Sequence, residues 1–241
     1  MTKPWSITAR ADGAVDIRLF DVIGEDVWTG GGTSAADFSD ELAAAGHVTR
    51  IRLIVNSAGG SCFDGICMYN ALLSHGAEVT AEVVGLAASI ASVIICAASK
   101  IAVAETALVM WHNPYAGVVG EAGDLRKLAS TLDKMKANMI SAYQRHSSLS
   151  AAKISALMDE ETWFSAAEAL ENGVAEEIID PSEDGEEQLA AAFATPILAK
   201  FRHVPQQVAA RVRGPRPAES QPPASDRERQ RLQLEVLRRL P

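Results

Sequence analysis

Apolar and polar residues alternate along Ala14-Val15-Asp16-Ile17-Arg18-Leu19-Phe20, the two-residue period of a strand with one covered face. A glycine-rich loop at Gly30-Gly31-Gly32 ends that pattern. Beyond it the period lengthens: Phe38, Leu42 and Ala45 share one face of a helix that opens at Ser34, with Asp37 in the capping-box position, and stops at Gly46. Arg50 to Asn56 is the clearest strand of the chain. It runs into Ser57-Ala58-Gly59-Gly60-Ser61, after which Phe63, Ile66, Cys67, Asn70, Ala71 and Leu73 take up helical spacing.

Val79 to Val84 alternates again and is rich in β-branched residues, so a second strong strand is expected there. Gly85 and the small residues after it then predict a tight strand-to-helix turn, with a buried helix from Ser89 to Ser99. Two short strands, Ile101–Ala104 and Ala107–Trp111, follow, and the second leads directly into His112-Asn113-Pro114. Leu125, Leu128, Leu132, Met135, Met139 and Tyr143 step by three or four along a long helix over 124–146, a stripe that suits core or subunit interface. A shorter helix is expected over 151–158. Ser165-Ala166-Ala167-Glu168 is a full capping box for a last helix that stops at Asn172-Gly173.

Composition narrows the class. The 241 residues, 48% of them hydrophobic, suffice for one sizeable domain and a remainder. No run of about 18 uncharged apolar residues appears, so no membrane span is expected, and the first residues lack the apolar stretch of a secretory signal. The three cysteines, Cys62, Cys67 and Cys96, form no Cys-x-x-Cys pair, which fits reduced thiols in a cytoplasm and neither a disulfide scaffold nor a zinc site. No cofactor, metal or nucleotide-binding motif is completed.

Net charge is −9, unevenly spread: residues 200–241 carry ten Lys/Arg against four Asp/Glu, a net +6, leaving −15 for the rest. The acidic body is a poor nucleic-acid surface. From Pro181 the chain turns acidic, then alanine-rich, then proline-rich over 214–225, and ends in an arginine-rich helix candidate over 226–240 with Leu232, Val236 and Leu240 aligned. Such a segment lacks the apolar content of a core. A mobile, partly helical extension over 181–241 is therefore expected beyond a domain at 14–180.

Chemistry gathers at three places. Ser89 stands at an expected helix start, where unpaired N–H groups favour developing negative charge. His112 is held at a strand end facing a mouth. The other histidines fit elsewhere: His47 and His75 at helix ends, His146 at the end of the long helix and His203 in the tail. The paired glycines Gly59-Gly60 let another backbone approach and let N–H groups point outward. That suits an oxyanion donor, a docking edge for an extended peptide, or a plain tight turn. In the acidic cluster Asp159-Glu160-Glu161 a carboxylate is bracketed by aromatic residues and a rigid helix start.

These blocks, taken together, resemble the proteolytic subunit of the Clp protease, and more closely the Clp-like head-maturation proteases of tailed phages. The matching stretches are 54–60, Phe63-Asp64-Gly65, 85–92, Met110-Trp111-His112-Asn113-Pro114 and 161–166, in the family's order and spacing. The resemblance covers about 14–180 and leaves the tail uncovered. It implies an α/β fold of repeated β-β-α units, related to the crotonase fold, and assembly into homo-oligomeric rings. By position it implies Ser89 as nucleophile, His112 as its general base, and the N–H groups of Gly60 and Ile90 as oxyanion hole, with Gly59 and Gly60 along the substrate. Two departures stand out. Ala58 replaces the family's proline, and Glu161 stands where the family carries aspartate, with Asp159 as the alternative third member. The implied partners are polypeptide substrates, phage scaffold or capsid proteins, or a separate AAA+ unfoldase. A crotonase-type acyl-CoA enzyme and a non-catalytic ring subunit are the rival expectations.

Overall fold

In the computed structural model, which describes residues 5–10, 12–20, 22–25, 32–180 and 201–205, the strands that alternation predicts form one sheet. Strand β1 (Trp5–Ala9) lies antiparallel to β2 (Ala14–Leu19), and a two-stranded ribbon, β3 (Gly24–Glu25) with β4 (Gly32–Thr33), precedes helix α1 (Ala35–Ala44). Ser34 caps α1 through its side chain, accepting from the N–H of Asp37 as its sequence position predicts. Strand β5 (Arg50–Ser57) lies between β2 and β6 (Glu78–Ala88), parallel to both, with helix α2 (Cys62–Ser74) as the β5–β6 connection. Parallel neighbours require such crossovers.

Beyond β6 come helix α3 (Ile90–Ile94), a 3-10 turn over Ile95–Ala97, and strands β7 (Lys100–Ala104) and β8 (Leu108–Trp111). The first half of β6 pairs with β7 and its last residues pair with β8, so one strand serves two neighbours in succession. Helices α4 (Ala122–Tyr143) and α5 (Ala151–Asp159) follow, then β9 (Thr162–Ser165), α6 (Ala166–Glu171) and β10 (Glu177–Ile179). Strand β9 runs antiparallel to β8, and β10 runs parallel to β7. The full capping box at Ser165 and Glu168 is present.

The core sits between the sheet and the helices. Leu53, Val55, Val83 and Val103 are fully buried, each worth about 1.5–3 kcal/mol against exposure. The stripe on α4 is only half used: Met135, Met139 and Tyr143 are buried, whereas Leu125 near its start is exposed.

One expectation changes. Gly85 to Ala88 is not a turn but the end of β6, and the helix after it is five residues long, ending at Ile94 instead of Ser99. Small residues fit here because this part of β6 is covered on both faces: Ala87 packs in the main core, Leu86 and Ala88 in a second cluster with Met110 and Phe201. Within the extension expected to be largely mobile and partly helical, residues 201–205 lie against the body and Phe201 is buried. The expected proline-rich linker and basic helix lie outside the described residues. Among those described, no helix is long and apolar enough to cross a membrane.

Candidate active site

The turn after β6 carries Ser89 with φ 55° and ψ −128°, a backbone state that costs a non-glycine residue about 1–3 kcal/mol. Its peptide groups are pinned on both sides. The Ser89 N–H donates to the Met110 carbonyl on β8 at 3.0 Å. Its carbonyl accepts from the Ser92 hydroxyl at 2.5 Å, and Ser92 in turn meets the Tyr143 hydroxyl at 2.9 Å. Tyr143 stacks on Trp111 with ring centres 4.1 Å apart. The Ser89 side chain makes no helix-capping bond. It points instead to His112, whose Nε2 lies 2.7 Å from Ser89 Oγ.

That imidazole follows the last residue of β8 and is buried. Burial pushes its pKa down to about 4; the nearby Glu161 charge acts upward against this and the Arg202 charge adds to the lowering. In the Nδ1–H tautomer of the neutral ring, Nε2 accepts from the Ser89 hydroxyl. Tyr115 and Phe201 flank the ring, at 5.7 and 5.3 Å between centres.

Of the two acidic candidates, Asp159 is held by partners other than His112. Its carboxylate is about half exposed and accepts from Asn113 Nδ2 at 2.7 Å and Lys136 Nζ at 2.6 Å. The Asn113 bond first, and Lys136 beside it, hold its pKa below the usual value. Glu161 is buried and, like Ser89, has φ 55°. Among the described residues these two alone combine a side chain with positive φ. The Glu161 carboxylate accepts from the backbone N–H of Arg202 at 2.9 Å and of His203 at 2.7 Å. Among the described residues no hydrogen bond joins it to His112.

The paired glycines lie against this turn. Gly59 has φ +90°, and a Cβ there would come within 2.7 Å of both the Ala88 carbonyl oxygen and Ser89 Cβ. Gly60 bridges to Ile23, where a Cβ would come within 2.1 Å of the Ile23 carbonyl oxygen. The Gly60 and Ile90 N–H groups donate to no acceptor among the described residues. Gly65 on α2 brings that helix onto Ile90, whose Cγ1 a Cβ would meet at 2.2 Å.

A sequence model of the Clp protease family matches residues 35–182, well over half of the chain. The chain belongs to the Clp protease family. Ser89, His112, Glu161, Gly59, Gly60 and Ile90 all fall inside the Clp protease match, and the segment 201–205 falls outside it. The ATP-dependent Clp protease proteolytic subunit of Bacteroides fragilis is 32% identical over 131 residues, 54% of this chain and 63% of that protein. Proteolytic subunit 2 of Thermobifida fusca is 32% identical over 146 residues, covering 59% and 71%, and subunit 3 of Rhodococcus jostii is 30% identical over 141, covering 57% and 69%. The chain thus spans less than two thirds of the length of the Bacteroides fragilis relative.

Among the described residues no group of three or more His, Cys, Asp or Glu side chains is placed to hold a metal ion. Two contributors have no signal in the sequence: the Ser92–Tyr143 pair beneath Ser89, and the segment 201–205. Ser92 lay within a matching block but had no pattern of its own. Phe201 and Val204 end an alanine-rich apolar stretch, and nothing in that pattern says which part of the body they meet.

Proposed function

We propose that the chain is a serine endopeptidase of the Clp type, acting through Ser89, His112 and Glu161 in a catalytic domain over 14–180. The observation that carries this is the 2.7 Å bond between Ser89 Oγ and His112 Nε2 at a strained, doubly pinned turn. Ser89 Oγ attacks the peptide carbonyl while His112 Nε2 takes its proton. The oxyanion that forms is met by the N–H groups of Gly60 and Ile90. His112 then passes the proton to the leaving amine, and an acyl-serine remains. Water, deprotonated by the same imidazole, adds to that ester; as the intermediate collapses, the imidazolium returns the proton to Ser89 Oγ and the acyl group leaves as the carboxylic acid.

Glu161 is the acid for the imidazolium of each step, one methylene longer than the family's aspartate. Asp159, committed to Asn113 and Lys136, is not. Gly59 and Gly60 line the substrate backbone. In its fuller form the proposal has subunits assembling into a ring that cuts polypeptides in a cytoplasm. The substrates are then capsid or scaffold proteins of a tailed phage, and no ATPase is obligatory.

Incubation with an alkyl fluorophosphonate, read by peptide mass spectrometry, tests the chemistry: labelling of Ser89 is expected, and its loss in His112→Ala. No label on Ser89, together with binding of an acyl-CoA, favours the crotonase-type reading. Turnover of an unfolded protein substrate equal to that of Ser89→Ala leaves only a structural subunit. Strict dependence on an added ATPase and ATP counts against the phage role.

A further inference from the structure

The segment Phe201–Pro205 occupies the neighbourhood of the acid and the base at once. Its two backbone N–H groups, from Arg202 and His203, take one Glu161 oxygen each. Phe201 sets its ring edge-on to both His112 and Trp163, at 5.3 and 5.9 Å, and fills the small cluster formed by Ala58, Leu86, Ala88 and Met110. His203 Nδ1 adds a bond to the Glu160 carbonyl at 2.9 Å. A short segment from outside the family match therefore has an apolar anchor and three polar ties, all beside the candidate triad.

The triad mechanism needs the carboxylate on the imidazole, where it fixes the tautomer and stabilises the imidazolium. Here the carboxylate serves the strap instead, and His112 has no bond to it. We infer that Phe201–Pro205 is a cis-acting inhibitory strap, which competes with His112 for the Glu161 carboxylate and holds the site in a resting state. This inference rests on the serine peptidase reading of the same site. Two further features agree. The Arg202 charge opposes an imidazolium at His112, and Phe201 adds to the burial that does the same. Displacing the strap exposes the ring, frees the acid and leaves the strained turn at Ser89 as it is.

The test uses the full-length chain and two variants that loosen the strap differently. Phe201→Ala removes the anchor. His203→Pro removes one of the two N–H donors and keeps the anchor. Circular dichroism establishes folding of each. Two readouts are followed: the rate of Ser89 labelling by a fluorophosphonate, and the titration of the His112 imidazole by NMR, read against the surrounding Ser89, Tyr115, Glu161 and Arg202 groups.

Labelling is expected to rise on the order of tenfold or more in both variants, since an ill-served acid costs a triad up to several powers of ten. The His112 midpoint is expected to move upward. Labelling that is unchanged or slower in folded variants, while the wild type labels, overturns the strap and leaves the peptidase reading standing. A raised His112 midpoint with no labelling of any form supports the hold on Glu161 and sinks the peptidase reading. An unmoved midpoint in both variants overturns the strap whatever the labelling.

Discussion

Acid stability tests the environment of His112 without requiring catalysis. Burial holds the imidazole neutral in the folded protein down to about pH 4, whereas its ordinary value is 6.5. Between those two values the unfolded chain binds a proton that the folded chain refuses. Stability is therefore full above the ordinary value, falls as pH drops through it, and levels off below about 4. Each unit of the gap corresponds to about 1.4 kcal/mol, so acidifying from about pH 7.5 to about 4.5 should remove roughly 2–3 kcal/mol through this one group. Urea unfolding of wild type and His112→Gln at both pH values isolates the term, because carboxylates titrating in the same range act on both proteins alike. The variant should lose less stability than the wild type by that amount. Parallel losses in the two proteins would refute the account of a desolvated imidazole, and with it the strap's part in its burial.

Other expectations follow from the packing around the turn. Gly59→Ala places a Cβ against Ala88 O and Ser89 Cβ in a backbone state that resists side chains; fluorophosphonate labelling of Ser89 should fall by at least about tenfold, with a stability loss of about 1–3 kcal/mol in urea. Tyr143→Phe removes the hydroxyl that meets Ser92; a loss of about 1–2 kcal/mol is expected in the same assay, and a fully wild-type midpoint would argue that the bond is not formed. Asp159→Asn should leave labelling within about twofold, because its partners are Asn113 and an exposed-side lysine bond worth about 1 kcal/mol or less. A large loss of labelling there would return the third triad place to Asp159.

Alternation and spacing made much of this architecture legible. Strands β2, β5 and the first half of β6 follow from period-two patterns with one face less covered than the other, and α4 from a stripe whose later members are buried. The pattern failed where both faces of a strand are covered. Along Gly85–Ala88 small residues suit a crowded double-sided environment as well as they suit a turn, and only the pairing with β8 separates the two. Strands β1 and β9 carry no such pattern, the first being a short edge strand and the second an acidic and aromatic stretch before a cap.

At the site, the sequence marks Ser89 as a helix start and His112 as the end of a strand; that the two meet follows from the pairing of β6 with β8, which the sequence pattern does not announce. The acid was ambiguous in sequence because Asp159 and Glu161 are two residues apart. The fold separates them through the positive φ at Glu161, which turns its side chain inward while that of Asp159 meets Lys136. The strap could not be read at all. Its grip on Glu161 is made by backbone N–H groups, which no residue type announces.

The twin left-handed residues bear on how inert controls should be built. Ser89→Ala deletes the hydroxyl yet keeps a Cβ at φ 55°, so the conformational penalty persists. Ser89→Gly deletes both, and should melt higher than the alanine version by the equivalent of about 1 kcal/mol. The same pairing at Glu161 separates two losses that alanine alone would merge: the missing charge and the relaxed main chain. A silent mutant in this protein is thus also a thermodynamic probe, and a knockout chosen for chemistry alone would misattribute part of what it reports.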